Sequence, residues 1–300
     1  MTAAPHPLFL DPSVEMTGKD TPALEQAAFA PGTRVNITHL ATETLDARVE
    51  AARAARDLGL VPVPHLSARR LRSASELAET LAAFASVGAA AHVFVVAGDP
   101  TTPHGPYPDA LSVVRSGLLG QHGVREVGVA GYPEGHPVIG TPALWSALEA
   151  KTAALREQGL AGGVITQFGF AVDPVLTWLA EARRRGVDLP VRVGVPGPAG
   201  VRRLLSYARR FGVTTSAGIA RKYGFSLTHL MGTAGPDRFL RALAADLSPQ
   251  AHGEVALHLY TFGGLAATSH WLTSLGLTAA AAEVPPTPSP RSPAARTTAG

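Results

Sequence analysis

Eight short apolar runs in this chain each end on a residue that could do chemistry or admit a ligand. Glu15 could act as a general acid, because an apolar wall raises the pKa of a carboxyl group. Asp99 follows Gly98, and a glycine lets a ligand approach the backbone closely. Gln167 offers two donors and an acceptor, which suits the edge of a heterocycle such as a pterin. The other run ends are Thr38–His39, His65, Tyr132 with His136, Gly197 and Tyr260–Phe262.

The same residues also have structural interpretations, which the sequence leaves open. Glu15 could form a salt bridge at the opposite end of a barrel, since a buried carboxylate needs a partner. Asp99 could cap a turn, and Gln167 could bond only to the backbone. His92 and His258 fall inside apolar runs, which favours buried core histidines.

The string Gly131–Pro137, GYPEGHP, is the most unusual in the chain. Its two prolines stiffen the loop, so Tyr132 and His136 would be held in fixed directions. Such a loop could clamp a large planar cofactor or its phosphates, or it could be a rigid structural turn. The sequence has no P-loop and no G-x-G-x-x-G after a strand, so a nucleotide would have to be bound by other loops.

The elements that would position these residues alternate between strand and helix. Segments with helical spacing, such as ETLDARVEAARAARDLG, separate the apolar runs. Eight strands in this order predict a (β/α)8 TIM barrel. Barrel enzymes carry their reacting groups at the carboxyl ends of the strands, so the polar run ends should line one pocket.

Composition agrees with one barrel domain. The chain has 300 residues, of which 46% are hydrophobic, and a (β/α)8 domain takes about 250 residues. We expect residues 1–7 to form a flexible arm and residues 8–275 to form the catalytic barrel. Residues 276–300 are rich in proline and alanine and are predicted to be disordered.

Composition also excludes several classes of function. The absence of cysteine excludes disulfides, thiolate catalysis and cysteine-bound zinc. The net charge of +3 is small and no groove-reading motif accompanies it, so nucleic-acid binding is not expected. No run approaches the ~18 apolar residues of a membrane span, and no signal peptide is visible, so we expect a cytoplasmic protein. The sequence leaves open whether the chain forms a homo-oligomer.

Six strings, in their order along the chain, resemble the methylenetetrahydrofolate reductases, a family of (β/α)8 flavoproteins. They are PSVE, PHLS, AGDP, GVAGYPEGHP, ITQF and HLYTFGG, and the resemblance covers roughly residues 8–274. The YPEGHP and ITQF strings make the resemblance specific. It implies hydride transfer between 5,10-methylenetetrahydrofolate and 5-methyltetrahydrofolate, with FAD as hydride carrier and NADH or NADPH as co-substrate.

The resemblance also implies roles for individual residues. Glu15 matches the glutamate that protonates N10 of the folate and opens its five-membered ring to an iminium. Asp99 matches the aspartate beside the flavin and the pterin, and Gln167 and Tyr207 match positions that contact the folate. The positions implied to bind FAD are Thr38, His65, Gly98, Asp99, Tyr132, His136 and Lys151.

Departures from the family pattern leave other functions open. Ala97 stands where an arginine usually precedes Gly-Asp, which removes a flavin contact and favours a flavin-free reductase that uses a nicotinamide directly. A non-catalytic folate-binding protein is a second alternative, and a metal-dependent barrel hydrolase or isomerase is a third. The ligands of that metal would be Glu15, His65, Asp99 and His136. The segment Arg221–Gly224 has no counterpart, and the physiological direction of the reaction is not determined by the sequence.

Overall fold

A computed structural model describes residues 6–210 and 233–275. In this part of the chain, parallel strands close into a barrel in the order β1-β8-β7-β6-β5-β4-β3-β2. The (β/α)8 prediction is therefore confirmed, while the predicted tail and the segment Arg221–Gly224 lie outside the described residues. The barrel strands are β1 (Ser13–Met16), β2 (Arg34–Ile37), β3 (Val61–Ser67), β4 (His92–Val96), β5 (Glu126–Gly131), β6 (Ala161–Thr166), β7 (Val191–Pro196) and β8 (Val255–Tyr260).

Helices surround the barrel and follow its strands. The described helices are α1 (Thr21–Gln26), α2 (Leu45–Asp57), α3 (Ala74–Ser86), α4 (Ala110–Val114), α5 (Leu118–Gln121), α6 (Thr141–Glu157), α7 (Val172–Arg184), α8 (Val201–Arg210), α9 (Asp237–Asp246), α10 (Pro249–His252) and α11 (Leu265–Ser274). Short 3-10 turns lie at Pro7–Phe9, Gly18–Asp20 and Ala68–Arg70, and Ala199–Gly200 pairs antiparallel with Thr233–Ala234. None of the described helices has the length and apolar character needed to cross a membrane.

Strand alternation separates the two faces of the barrel wall. Successive residues of a strand point to opposite faces, so Val14 and Val35 pack outward under the helices while Glu15 and Asn36 face the interior. Inside, Val63, Phe94 and Ile165 form a small apolar cluster of their own. Residues two apart share a face, so Glu15 lies on the same face as Ser13, and Tyr260 on the same face as His258. In each pair the later residue is nearer the carboxyl end of its strand.

A charged cluster lies at the amino ends of the strands. Arg34 donates to both carboxylate oxygens of Glu126, at 2.6 and 2.9 Å, and His92 Nδ1 lies 3.2 Å from the same carboxylate. The contacts with His92 and Arg34 lower the pKa of Glu126 to about 2. Glu126 therefore forms the salt bridge at this end of the barrel, while Glu15 lies towards the carboxyl end of β1.

Candidate active site

Glu15 lies at the carboxyl end of β1 with a defined set of partners. Its Oε2 atom is 3.8 Å from Nε2 of the buried His258, and His258 Nδ1 is 2.9 Å from Ser13 Oγ. The Thr261 hydroxyl donates to the backbone carbonyl of Glu15 at 2.5 Å. The Glu15 side chain is 24% exposed. The backbone of Glu15 is thus held by Thr261, while its carboxyl group lies near His258 and is partly accessible.

Neutral hydrogen-bonding groups surround this carboxylate. Burial lowers the pKa of His65 to about 4, against the opposing effect of Glu15. Burial, with the charge of Glu15 and the nearby Tyr132, raises the pKa of Tyr260 well above its usual range. The Tyr260 hydroxyl donates to the Thr166 carbonyl at 3.1 Å. At neutral pH the carboxyl group of Glu15 is therefore next to an uncharged imidazole and an uncharged phenol.

His65 should make the stability of the folded chain depend on pH. Its folded pKa of about 4 lies below the ordinary 6.5, so the unfolded chain binds more protons between these values and stability falls as the pH falls through this window. The full effect is on the order of 3 kcal/mol. Denaturant unfolding of the wild type and of His65→Gln between pH 4 and pH 6.5 measures it. The variant should show a flatter dependence, and an unchanged slope would contradict the assignment.

A second polar group lies at the carboxyl ends of β2 and β3. Thr38 Oγ1 is buried and has no hydrogen-bond partner among the described residues. The neighbouring His39 accepts a hydrogen bond from Ser67 N at 3.3 Å. Burial, with the charges of Arg48 and Arg70, lowers the pKa of His39 to about 3. Because buried hydroxyl groups are almost always paired, the unpaired Oγ1 atom of Thr38 is unusual.

Asp99 lies at the rim, not in the interior. Its side chain is 83% exposed and forms an ion pair with Arg70, with Nη2 and Oδ2 3.3 Å apart. Gly98 adopts φ 90°, and a Cβ atom there would lie 3.0 Å from Ser67 Cβ. The glycine is therefore required both by its backbone conformation and by its closeness to β3, and together they direct Asp99 towards solvent.

Gln167 and an aromatic cluster form the opposite side of the mouth. The Gln167 side-chain carbonyl accepts from Phe168 N at 3.0 Å, so its NH₂ group is the part left to contact a substrate. Tyr207 on α8 stacks on Phe262, with ring centroids 4.1 Å apart and planes 10° apart. Phe168 packs edge-on against Tyr260 and Phe262, at 5.4 and 5.1 Å. The flat apolar surface suits a planar ring.

The Gly131–Pro137 loop follows β5 directly. Tyr132 and His136 pack edge to face, with ring centroids 5.3 Å apart. Burial raises the pKa of Tyr132 and lowers that of His136. Glu134 accepts a hydrogen bond from Phe170 N at 3.3 Å, which anchors the loop to the segment after β6. The two rings therefore contact each other within a loop that is anchored at Glu134.

A cavity of about 600 Å³ lies beside this loop and between α6 and α7. Its walls include Tyr132 and the stacked pair Trp145 and Trp178, whose ring centroids are 5.5 Å apart. Glu15, Asp99 and Gln167 do not line it. The cavity therefore adjoins the strand-end site through Tyr132 but is not the place where those three residues meet.

Lys151 lies apart from the strand-end residues. It is on α6, ten residues after the helix begins at Thr141, which is about 15 Å along the helix axis. Its side chain is buried, and burial lowers its pKa to about 8 against the opposing charge of Asp109, the residue before α4. The structure thus places Lys151 in the helical layer between α6 and α4.

Several residues that complete the site were not identified from the sequence. His258 was interpreted as a core histidine but also lies beside Glu15, and Arg48 donates to the His65 carbonyl from α2. Arg70 was not singled out by the sequence analysis but contacts Asp99. Within residues 6–210 and 233–275, no group of three or more His, Asp or Glu side chains could hold a metal ion. The ligand set of the hydrolase alternative is thus not assembled there.

Comparison with known proteins adds an independent finding. The family model described as methylenetetrahydrofolate reductase matches residues 23–217. Methylenetetrahydrofolate reductase 2 of Saccharomyces cerevisiae (strain ATCC 204508 / S288c) is 34% identical over 86 residues, which is 28% of this chain and 13% of the yeast protein. The matched segment thus spans a small part of that relative.

Two solved structures of dihydropteroate synthase from Thermus thermophilus are also similar. One has a TM-score of 0.45 at 15% identity, covering 90% of this chain and 93% of the other. The second, in complex with 6HMPPP, has a TM-score of 0.47 at 17% identity, covering 90% and 92%.

Proposed function

The chain belongs to the methylenetetrahydrofolate reductase family, and from that premise we propose that it interconverts 5,10-methylenetetrahydrofolate and 5-methyltetrahydrofolate by hydride transfer. The placement of Glu15 carries this proposal. Its carboxyl group lies at the carboxyl end of β1, next to the buried His258, and is 24% exposed. Barrel enzymes bind their substrates at this end. We propose further that the protein is cytoplasmic and that NADH or NADPH is its co-substrate.

In the proposed reaction, Glu15 supplies the proton and two other residues orient the folate. In the reductive direction, Glu15 would donate a proton to N10 of the folate, the bond between N10 and the bridging carbon would break, and an iminium would form at N5. Hydride addition to that carbon gives the methyl group, and solvent returns a proton to Glu15. Asp99 at the rim and the NH₂ group of Gln167 would orient the pterin through hydrogen bonds.

FAD is the proposed hydride carrier, and the strand ends fit a flavin. Thr38 offers a buried hydroxyl without a partner among the described residues, and Gly98 allows close backbone approach. His65, Tyr132 and His136 supply neutral rings that can pack against or hydrogen-bond to the cofactor. FAD, when bound, would pass hydride between the nicotinamide and the folate.

A flavin-free reductase is the second candidate, and one residue favours it. Ala97 follows β4 directly, and its methyl side chain offers no polar contact to a cofactor. A direct hydride transfer from nicotinamide to folate would still use Glu15 as the acid. Folate-dependent oxidation of reduced nicotinamide by the full chain, with and without added FAD, separates the two. Dependence on FAD supports the first candidate, and oxidation without any flavin supports the second. No folate-dependent oxidation in either case would contradict both.

Changing both Tyr132 and His136 to alanine should weaken FAD binding more than it affects the chemical step. The double variant removes two packed rings from the loop after β5 but leaves Glu15 in place. We expect weaker affinity in a flavin titration and partial recovery of activity at saturating FAD. Val138→Ala, at a position 84% exposed in the same segment, is the matched control and should bind FAD like the wild type. Unchanged affinity in the double variant would refute the role of the loop.

A further inference from the structure

Arg70 differs from the arginines next to it in how its guanidinium group is used. It ends the 3-10 turn after β3, and its side chain is only 16% exposed. Arg69 donates to the carbonyls of Pro108 and Pro100, at 2.7 and 3.3 Å. Arg72 is 76% exposed and pairs with Glu76 on the surface. Arg70 alone among the three contacts a residue of the candidate active site, through its ion pair with Asp99.

The contacts of Arg70 leave part of its guanidinium group unsatisfied. Nη2 lies 3.3 Å from Asp99 Oδ2, and that carboxylate is mostly in solvent. Nε is buried and has no hydrogen-bond partner in the described part of the chain. A buried N–H of a permanently charged group is costly to leave unpaired. An anionic oxygen is the partner that a guanidinium binds best.

The backbone places this cation at the mouth of the barrel. Arg69 N donates to the Ala97 carbonyl at 2.9 Å, so the turn is attached to the end of β4. Ser67 N donates to His39 at 3.3 Å, which joins the end of β3 to the end of β2. Burial, with the charges of Arg48 and Arg70, lowers the pKa of His39. Thr38, the residue before His39, and Arg48, which donates to the His65 carbonyl, also carry buried polar atoms without a partner among the described residues.

We propose that Arg70 binds a phosphate group of a dinucleotide at the carboxyl ends of β2, β3 and β4. The inference rests on the proposed function only for the class of ligand, since both FAD and NAD(P)H carry a diphosphate. A guanidinium N–H and a hydroxyl can each donate to a phosphate oxygen, and Arg70 supplies the charge that the group requires. Asp99 contacts only Nη2 among the described residues, so the other terminal N–H groups of the guanidinium are available to a phosphate oxygen.

The test compares ligands that differ in the phosphate groups. Full-length wild type, Arg70→Gln, Arg70→Lys and the control Arg72→Gln are titrated with FAD, with riboflavin and with NADH. Loss of a charge-assisted hydrogen bond should weaken dinucleotide binding about 10–100-fold in Arg70→Gln. Riboflavin, which lacks phosphate, should bind this variant and the wild type equally. Arg70→Lys should retain part of the affinity, and Arg72→Gln should retain all of it.

The arms of the experiment identify the source of the phosphate. A loss for FAD assigns Arg70 to the flavin nucleotide, and a loss for NADH assigns it to the nicotinamide nucleotide. The proposal would be overturned if Arg70→Gln bound FAD and NADH as tightly as the wild type does, or if it lost as much affinity for riboflavin as for FAD. A wild type that binds none of the three ligands would also overturn it. Titration needs no folate turnover. A chain that binds a dinucleotide through Arg70 but does not reduce folate would keep this inference and contradict the proposed function.

Discussion

Glu15→Gln is expected to lower folate turnover by about 10²–10⁴-fold, the usual contribution of general acid catalysis. Glutamine keeps the length and shape of the side chain beside His258 but has no proton to donate to N10. The loss should appear in kcat, while the KM for the nicotinamide should change little, because Glu15 acts on the folate. Steady-state kinetics with both substrates varied measure the two effects separately.

A matched carboxylate provides the control for this variant. Glu50 lies on α2 with a side chain 60% exposed, so Glu50→Gln removes a similar charge far from the proton transfer and should leave kcat unchanged. Riboflavin and FAD titrations establish that the Glu15→Gln site is still assembled. A Glu15→Gln enzyme with more than half of the wild-type rate would rule out Glu15 as the acid.

Gly263→Ala should strongly destabilise the chain and disrupt the site. A Cβ atom at this position would overlap the Pro198 carbonyl oxygen and lie 3.0 Å from its carbon, and backbone atoms cannot rotate away as a side chain can. We expect a loss of about 3 kcal/mol or more in the free energy of unfolding. The segment after β8 would have to move, and with it Thr261, which donates to the Glu15 carbonyl.

Urea unfolding of Gly263→Ala and of Gly120→Ala measures this effect against a control. Gly120 lies in α5, and a Cβ atom there has nothing within 4 Å. Alanine at that position should be neutral or stabilising by up to about 1 kcal/mol, since it favours the helix. Equal unfolding midpoints for Gly263→Ala and the wild type would show that the contact with Pro198 is relieved without cost.

The strands could be predicted because each is a short apolar run bounded by polar residues or glycine. Residues at the ends of those runs, Thr38 and Gln167 among them, could be located for the same reason. His65 was placed at a run end but lies inside β3, because that strand continues to Ser67. Their partners could not be predicted, because contacts depend on how the barrel closes. Ser13 meets His258 across 245 residues of sequence, and nothing in local spacing fixes the register between β1 and β8.

Helical spacing explains why the side chain of Lys151 is buried. Leu148, Lys151 and Leu155 recur at intervals of three and four on the buried face of α6, so the lysine stem packs inward. The family resemblance implies that Lys151 binds FAD, and that role stays a prediction. The contact between Arg70 and Asp99 could not be predicted, because Arg69 and Arg72 give the same local sequence signal.

Direct identification of the product tests the proposed reaction most directly. The full chain is incubated with 5,10-methylenetetrahydrofolate, reduced nicotinamide and FAD, and the folates are separated and identified by mass. We expect one 5-methyltetrahydrofolate for each nicotinamide oxidised, and almost none with Glu15→Gln under the same conditions. Oxidation of the nicotinamide that leaves the folate unchanged, or equal product from the wild type and Glu15→Gln, would contradict the proposed role of the β1 carboxyl group.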